Sequence, residues 1–377
     1  MAAVDKPYRL YRGGRKKGRV PLERNARPPS ARASAPGPPR RKRRWGLWIG
    51  VAVLAALVLC SAWTALGYRS FARGVEKANA RVGRDVRGQL SKQDRSVLSD
   101  PTTTLVIGTD GGRARGREGF NRSDSLMLIR SDPSRHRISY LSIPRDLRVE
   151  IPGYGSAKVN AANQIGGPAL TLATVRALTG LELDHVVVVN FDGFRDLIDA
   201  IGGIEITVPK PILSNAFDCP HPPERCRNWE GWRFGKGKQH MDGRRALVYS
   251  RIRTNQLDPS ETDFERAARQ QAVVDAVGDK IAGLGTFLRL PFMGDSLAAP
   301  LATDLSAWEL AQLGWVRFRA GAGSLRCRLG GDPETIGGES VILGSEDNAG
   351  VVSMFLGRSA PLPPRKGMPY APGCRRR

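Results

Sequence analysis

A short segment that follows a proline carries four polar side chains suited to binding an anion. The apolar run 138–143 ends at Pro144, and two charged residues come next. Because proline cannot join a sheet ladder and keeps its predecessor extended, the pattern predicts a strand that ends here and a loop that presents the charges. The guanidinium, carboxylate, ammonium and amide belong to Arg145, Asp146, Lys158 and Asn160.

Two predicted helices add further cationic side chains. Asp242 can cap a helix that runs to about residue 250 and delivers Arg251 and Arg253. The sequence 262–265 is a capping box, and the helix that it starts carries three polar residues in its first turns. Their spacing of three and four residues places them on one face, which we do not expect to form core. These residues are Arg266, Arg269 and Gln270.

Strands that alternate with helices must position these side chains. Runs of β-branched and apolar residues predict strands at 103–108, 125–129, 138–143, 184–190 and 204–208. A helix is predicted at 168–179, starting at a proline and ending before Gly180, and Asp192 can cap a second helix that runs to residue 200. This order predicts a layered α/β domain.

The amino-terminal part of the chain predicts a membrane anchor. Residues 1–44 hold 15 Lys and Arg against two acidic residues, a net +13 of the chain's +23, and their Pro, Gly and Ser content predicts disorder. Residues 45–68 contain no charge and would span about 36 Å as a helix, enough to cross a bilayer. The basic cluster 41–44 places the amino terminus in the cytoplasm and the rest of the chain outside. Because a topology signal explains the basic arm, we expect no nucleic-acid partner.

The remainder of the chain divides by composition. Polar residues 69–102 predict a linker outside the membrane, and residues 103–285 a globular domain. Within that domain, residues 210–239 have no clear period and predict a long excursion. Residues 286–377 are assigned as carboxyl-terminal helices and an extension, with a strand at 340–343 and a helix at 348–356.

Cysteine usage predicts an oxidising compartment. Cys60 lies in the apolar span, and the four cysteines beyond it form an even set without a CxxC motif or zinc-type spacing. Cys219 and Cys226 flank a proline-rich loop and predict one disulfide. Cys327 and Cys374 are assigned as a second bridge only because they are the remaining pair.

Seven short motifs lie between residues 103 and 280: GTD at 108–110, RSDS at 122–125, SIPRD at 142–146, the IPGYG…KVNAA segment, NFDGF at 190–194, ALVYSRIR and DFERAARQQ. Their order and spacing are those of the LytR-CpsA-Psr family, which this sequence resembles. The resemblance implies a three-layer α/β/α domain with a central mixed β-sheet, behind one transmembrane helix, and a hydrophobic pocket for a lipid tail. It also implies a membrane-anchored phosphotransferase that attaches a glycopolymer from a polyprenyl-diphosphate carrier to peptidoglycan through a phosphodiester bond.

The resemblance implies roles for particular residues as well. Asp110 and Asp124 match the family's metal-binding carboxylates, for magnesium or manganese. Two departures from the family pattern affect local geometry: Glu265 stands where relatives often have glycine, and the basic run 113–117 enlarges the loop after Asp110. The diphosphate and head-group contacts match Arg122, Arg145, Arg251, Arg253, Arg266 and Gln270.

The residue types favour the same chemistry without the resemblance. A lipid diphosphate is densely negative, and transfer of its sugar phosphate adds charge to the leaving oxygen, so catalysis is largely positioning and electrostatic stabilisation. Guanidinium groups bind two phosphate oxygens at once, and magnesium needs only one or two carboxylates. The base for the attacking hydroxyl stays open between Asp146 and a metal-bound carboxylate.

Taken singly, these residues also fit structural roles, as a surface ion pair, a solvated helix face or aspartates in turns. Their joint placement favours function, although Lys158 and Asn160 fit a plain turn equally well, and the valines 186–189 fit ordinary core better than a lipid pocket. Two rival functions are a hydrolase that cleaves the same lipid diphosphate and a non-catalytic, membrane-anchored regulator or binding protein. Retention of both aspartates and the arginine set argues against the second rival.

The basic cluster beside the uncharged span leads to a prediction about topology. Protease added to intact protoplasts should digest the carboxyl-terminal domain and spare residues 1–44, because only the domain lies outside. Immunoblots against tags at both ends measure this, and lysed protoplasts control for cleavage of the arm. Protection of the domain in intact protoplasts would contradict the orientation.

Overall fold

A long apolar helix precedes a mixed α/β structure along the chain, and all strands of the described residues belong to the unit Ala55–Arg377. The computed structural model describes residues 45–91, 96–111, 123–261, 263–320, 324–365, 367–368 and 370–376, the side chains of residues 263 and 264 excepted. The helices in this part of the chain are α1 (Trp45–Asn79), α2 (Arg84–Arg87), α3 (Ala161–Thr179), α4 (Phe191–Ala200), α5 (Pro223–Cys226), α6 (Gly243–Arg251), α7 (Asp263–Ile281), α8 (Leu284–Ala298), α9 (Ala307–Ala320) and α10 (Asn348–Phe355). The strands are β1 (Thr102–Thr109), β2 (Ser123–Asp132), β3 (Arg137–Ile143), β4 (Leu147–Ile151), β5 (Gly155–Lys158), β6 (His185–Asn190), β7 (Ile204–Val208), β8 (Ile212–Leu213), β9 (Arg233–Phe234), β10 (Gly237–Met241), β11 (Ala302–Thr303), β12 (Leu325–Arg328), β13 (Gly331–Ile336), β14 (Glu339–Gly344) and β15 (Gly373–Arg376).

A seven-stranded mixed sheet forms the centre, in the order β11-β6-β1-β2-β3-β12-β15. β1 is parallel to β6 and β12 is parallel to β3, whereas β2 is antiparallel to both of its neighbours, β1 and β3. Alternation along β2 sends Leu126 and Leu128 into a core with α3 and α10, while Met127 faces α7 and α9. Helices therefore cover both faces, which confirms the three-layer α/β/α arrangement with a central mixed sheet.

Local signals set several element boundaries. β3 ends at Ile143, directly before Pro144, as predicted. Asp242 caps α6, because its Oδ1 accepts a hydrogen bond from the Arg245 backbone N–H at 2.7 Å. Gly180, at a positive φ of 66°, ends α3.

Two helix starts differ from the sequence prediction. α3 begins at Ala161 rather than at residue 168, since a first segment precedes a break at Gly167, where φ is +63°. Asn190 caps α4 in place of Asp192: its side-chain oxygen accepts a hydrogen bond from the Gly193 backbone N–H at 2.7 Å.

Segments outside the predicted domain complete the fold. β12 and β15 extend the central sheet beyond β3, and β13 and β14 join β4 and β5 in a second, four-stranded sheet. Much of the predicted extension 286–377 is thus integral to the domain, because its strands find partners far away in sequence. In the same way, α1 continues past residue 68 and buries Ser70, Gly74 and Val75, which the sequence assigned to a linker. The excursion 210–239 contains β8, α5 and β9, and it leads into β10, which pairs with β7.

Both proposed cysteine pairs are bonded. Cys219 and Cys226 have their Cα atoms 6.0 Å apart, and they close a short loop within the excursion. Cys327 and Cys374 have their Cα atoms 4.0 Å apart, and they join β12 to β15 inside the core. Cys60 is the free cysteine of the described residues, and it is exposed on α1.

We predict that the two disulfides differ in their contribution to stability. In the chain-entropy model, the bridge with a separation of 47 residues contributes about 4 kcal/mol and the bridge with a separation of 7 about 2.5 kcal/mol. Cys327→Ala/Cys374→Ala should therefore lower the midpoint of thermal unfolding further than Cys219→Ala/Cys226→Ala, which serves as its matched control. The larger loss in the second variant would contradict the prediction.

Candidate active site

A cavity of about 430 Å³ opens where β1 and β2 meet α4, α6 and α7. Its wall changes from polar to apolar along two of these elements. On β2 the lining residues run from Asp124 to Met127, and on α7 they run from Arg266 to Val273. One end of the cavity therefore suits a charged group and the other a hydrocarbon.

The polar end gathers side chains that are distant in sequence. They lie on β2, on the loop after β3, in and just after α6, and on the first turns of α7, and all six were candidates from the sequence. These lining residues are Asp124, Arg145, Arg251, Arg253, Arg266 and Gln270.

Two carboxylates hold the Arg145 side chain. Its Nη1 donates a hydrogen bond to Asp124 Oδ1 at 2.7 Å, and its Nε donates to Asp146 Oδ2 at 3.3 Å. Gly108 pairs with Ser125 and Thr109 with Ser123, so Asp124 is the extra residue of a β-bulge, a feature that re-aims side chains. The guanidinium is thereby held in one orientation at the cavity wall.

Arg251 lies between an acid and two aromatic rings. It forms an ion pair with Asp218, and its guanidinium carbon lies 4.5 Å from the centre of the Phe191 ring and 5.4 Å from that of Phe217. Cations bind the electron-rich faces of such rings. The contacts hold this positive charge where the polar and apolar parts of the wall meet.

Arg253, unlike Arg251, lies among side chains that carry its own positive charge. Burial lowers the pKa of its guanidinium, and the positive charges of Arg145 and Arg266 lower it further. Asp124 and Asp146 act in the other direction with smaller effect. An anionic ligand with several oxygens would relieve this repulsion, because guanidinium forks pair with phosphate oxygens two at a time.

Asp110 and Asp124 come from neighbouring strand ends. Asp110 directly follows β1, and Asp124 lies in the bulge that opens the paired strand β2. Magnesium accepts one or two protein carboxylates and completes its shell with water and phosphate oxygens, so this sparse donor set fits the ion. Groups of three or more metal-binding side chains are absent from the described part of the chain.

Besides Asp110, four predicted site residues in the described part of the chain do not line the cavity. Asp146 instead braces Arg145, and Lys158 pairs with Glu339 Oε2 at 3.1 Å in the second sheet. Asn160 is buried, and its backbone N–H donates to the Arg145 carbonyl at 3.2 Å, which helps to shape the loop. The fourth residue is Arg269.

Arg269 requires a correction, because the sequence placed it on a functional face with Arg266. The side chain is buried, with Nη1 2.7 Å from Glu261 Oε2 and Nη2 donating to the Ile252 carbonyl at 2.8 Å. It ties α7 to the segment that follows α6. Arg122, another predicted contact, lies outside the described residues.

The apolar wall was only partly anticipated. Val189 lines the cavity, whereas Val186 lies in the core, so the valine run contributes to both the cavity wall and the core. Phe191, Phe194 and Phe217 also line the wall and were missed. The NFDGF motif was a signal for the first two, because it places two aromatic residues at a helix start beside the polar candidates.

Comparison with known proteins identifies the family. The model of the LytR_cpsA_psr family matches residues 67–322, more than half of the chain. This chain belongs to the LytR_cpsA_psr family. The resemblance seen in the sequence motifs is thereby confirmed, and the match covers the elements that wall the cavity.

Two family relatives are teichoic acid transferases by name. The polyisoprenyl-teichoic acid–peptidoglycan teichoic acid transferase TagU of Bacillus cereus is 34% identical over 233 residues, which cover 62% of this chain and 68% of the relative. TagU of Oceanobacillus iheyensis is 28% identical over 283 residues, which cover 73% of this chain and 81% of the relative.

Solved structures agree with the fold of the LytR_cpsA_psr domain. The crystal structure of Bacillus subtilis TagV is 25% identical, covers 70% of this chain and 99% of its own, and superposes with a TM-score of 0.55. A structure of TagT bound to LI-WTA is 25% identical, covers 71% of this chain and 98% of its own, and has a TM-score of 0.52.

The geometry of Arg145 leads to a prediction about ligand binding. Arg145→Lys should weaken binding of a soluble prenyl diphosphate about 10- to 100-fold, because lysine keeps the charge but loses the fork, and hydrogen bonds to charged groups contribute about 1.5–3 kcal/mol. Isothermal titration calorimetry measures the affinity. Arg148→Lys is the matched control, since Arg148 lies on β4 and donates to Ser156 Oγ away from the cavity. Equal affinities for both variants would remove Arg145 from the site.

Proposed function

We propose that this protein transfers a phosphate-linked glycopolymer from a polyprenyl-diphosphate carrier to peptidoglycan, forming a phosphodiester bond. The observation that carries the proposal is the cavity itself, in which a guanidinium cluster at one end adjoins an aromatic and aliphatic wall at the other. A lipid diphosphate has the same division between a dense anion and a hydrocarbon tail. The activity in the names of the TagU relatives supports this substrate class.

The substrate would bind with its diphosphate among the arginines. Arg145, Arg253 and Arg266 would face the phosphate oxygens, and the prenyl chain would run along Phe194 and Val273. Because this charge is placed before the substrate arrives, little reorganisation is needed when the transition state forms.

In the transfer, an acceptor sugar hydroxyl attacks the phosphorus that bears the glycopolymer. The new P–O bond forms as the bond from that phosphorus to the bridging oxygen breaks, and polyprenyl phosphate leaves with the electron pair. The guanidinium groups stabilise the negative charge that grows on the leaving oxygen. The hydroxyl proton passes to a carboxylate, either Asp124, which lines the cavity, or Asp146; both also accept a hydrogen bond from Arg145.

Asp110 and Asp124 would hold magnesium, or manganese. When bound, such an ion supplies positive charge to the phosphate oxygens. Gln270 accepts a hydrogen bond from Ser125 Oγ at 3.2 Å, next to Asp124, and would orient the head group on that side. The basic loop 113–117 belongs to the same region of the sequence but lies outside the described residues.

The protein would act on the outer side of the cell membrane. α1 is long and apolar enough to cross a bilayer. With the basic residues 41–44 on the cytoplasmic side, the domain that follows α1 would face the wall, where peptidoglycan is the acceptor. Membrane lipid and the lipid-linked polymer would be its other partners, and no nucleic acid is required.

The proposed metal site predicts a pattern among aspartate variants. Asp110→Ala and Asp124→Ala should each abolish most transfer together with its dependence on magnesium, and the double variant should lose little more, because both carboxylates serve one ion. The assay follows transfer of a synthetic lipid-diphosphate sugar to a peptidoglycan fragment while magnesium is titrated. Asp332→Ala, in β13 of the second sheet, is the matched control.

The same assay separates the rival functions. Release of phosphorylated sugar at an equal rate with and without the peptidoglycan fragment would identify a hydrolase. Binding of the lipid with neither transfer nor release would identify a non-catalytic binding protein. Full transfer by both aspartate variants would contradict the metal site.

A further inference from the structure

α8 presents large apolar side chains to its surroundings. Leu284 is 71% exposed, Phe287 43%, Leu288 53% and Phe292 80%. Their spacing of three and four residues places them on one side of the helix. Such a stripe is unusual on a soluble surface and marks a site of interaction with another apolar phase.

α8 is tightly fixed to the part of α1 that leaves the apolar span. The rings of Trp63 and Phe292 lie 5.6 Å apart in an edge-to-face arrangement. One turn further along α1, Gly67 packs against Leu290. Close packing continues at Gly294, where a Cβ atom would lie 2.6 Å from the backbone nitrogen of Phe71.

An ion pair completes this contact. Lys77 Nζ lies 2.7 Å from Asp295 Oδ2. Contacts therefore join the stretch of α1 from Trp63 to Lys77 to the short stretch of α8 from Leu290 to Asp295. The middle of α8, at Leu290 and Phe292, lies level with the end of the apolar span.

The length of the apolar span determines where α1 leaves the hydrocarbon core of the bilayer. A bilayer core about 30 Å thick needs roughly 20 helical residues, so a span that begins at Trp45 ends near Leu66. Trp63 lies inside that limit and touches Phe292. The apolar face of α8 therefore reaches the boundary between lipid tails and head groups.

We propose that the face of α8 formed by Leu284, Phe287, Leu288 and Phe292 inserts into the outer leaflet and is a second membrane contact of the protein. The inference rests on the proposed crossing of the membrane by α1. Interfacial helices bury their apolar face about 5–10 Å into the head-group region. Residues 284–294 contain no acidic side chain, and the exposed Arg289 suits anionic lipid head groups.

This contact would couple the bilayer to the cavity. On its inner side, α8 contributes Leu290, Met293 and Leu297 to the same apolar cluster as Phe194 and Val273, which line the cavity. With α1 and α8 both in the membrane, the domain cannot pivot about a single helix, and the cavity stays at a fixed height above the bilayer. A prenyl chain then passes from leaflet to cavity over a constant distance.

Depth-dependent quenching of a fluorescent label tests the proposal in the full chain. The label NBD is attached to Leu288→Cys in a Cys60→Ser background, and the protein is placed in vesicles with or without nitroxide-labelled lipid. Leu362→Cys, exposed to 65%, is the matched control for Leu288, exposed to 53%. Native Cys60, labelled in the unchanged chain, reports on α1 itself.

The expected result is a blue-shifted NBD emission that nitroxide lipid diminishes at positions 288 and 60 but not at 362. Loss of emission at 60 alone would overturn the α8 contact and leave the proposed anchor intact. Protection of position 288 from aqueous iodide without quenching by lipid would also overturn it and would indicate a protein partner. No quenching at 60 would contradict the anchor and the α8 contact together.

Discussion

The ion pair between Arg145 and Asp124 links two central strands at the edge where the cavity opens. Its geometry depends on two local breaks, the end of β3 before Pro144 and the bulge in β2 that turns Asp124. Without the first, Arg145 would continue along the sheet, and without the second, Asp124 would follow the alternation of the strand. The pair thus fixes one guanidinium in advance, and the other cavity arginines are arranged around it.

Arginine serves two opposite purposes in this molecule. Arg269 and Arg326 are neutralised within the protein, the first by Glu261 at 2.7 Å and the second by Asp275 at 2.5 Å. Burying a charge is tolerable when a partner and hydrogen bonds compensate it. At the cavity the balance differs, since the pKa of Arg253 is lowered by burial and by two neighbouring guanidinium groups. Positive charge is therefore concentrated around Arg253, whereas Arg269 and Arg326 are each paired with a buried carboxylate.

The carboxyl-terminal strands stabilise the edge of the sheet that supports this site. β12 lies beside β3, so the strand that delivers Arg145 is internal to the sheet and is paired on both sides. The Cys327–Cys374 bridge then fastens β15 to β12. A similar arrangement holds α1, whose last turns pack against α8 rather than forming a free tether.

Local sequence signals determined much of the fold and part of the site. Pro144 ended a strand, Asp242 capped a helix, and the uncharged run after residue 44 became a helix long enough to span a membrane, because each depends on neighbours along the chain. Only the tertiary structure distinguished Arg266 from Arg269. Two arginines three residues apart on a helix look equivalent in sequence, but only Arg269 pairs with Glu261 in the preceding loop. Lys158 likewise pairs with Glu339 instead of lining the cavity, and β12 and β15 join the central sheet. In each case the partner comes from a distant part of the chain, and no local sequence pattern indicates a pairing over that distance.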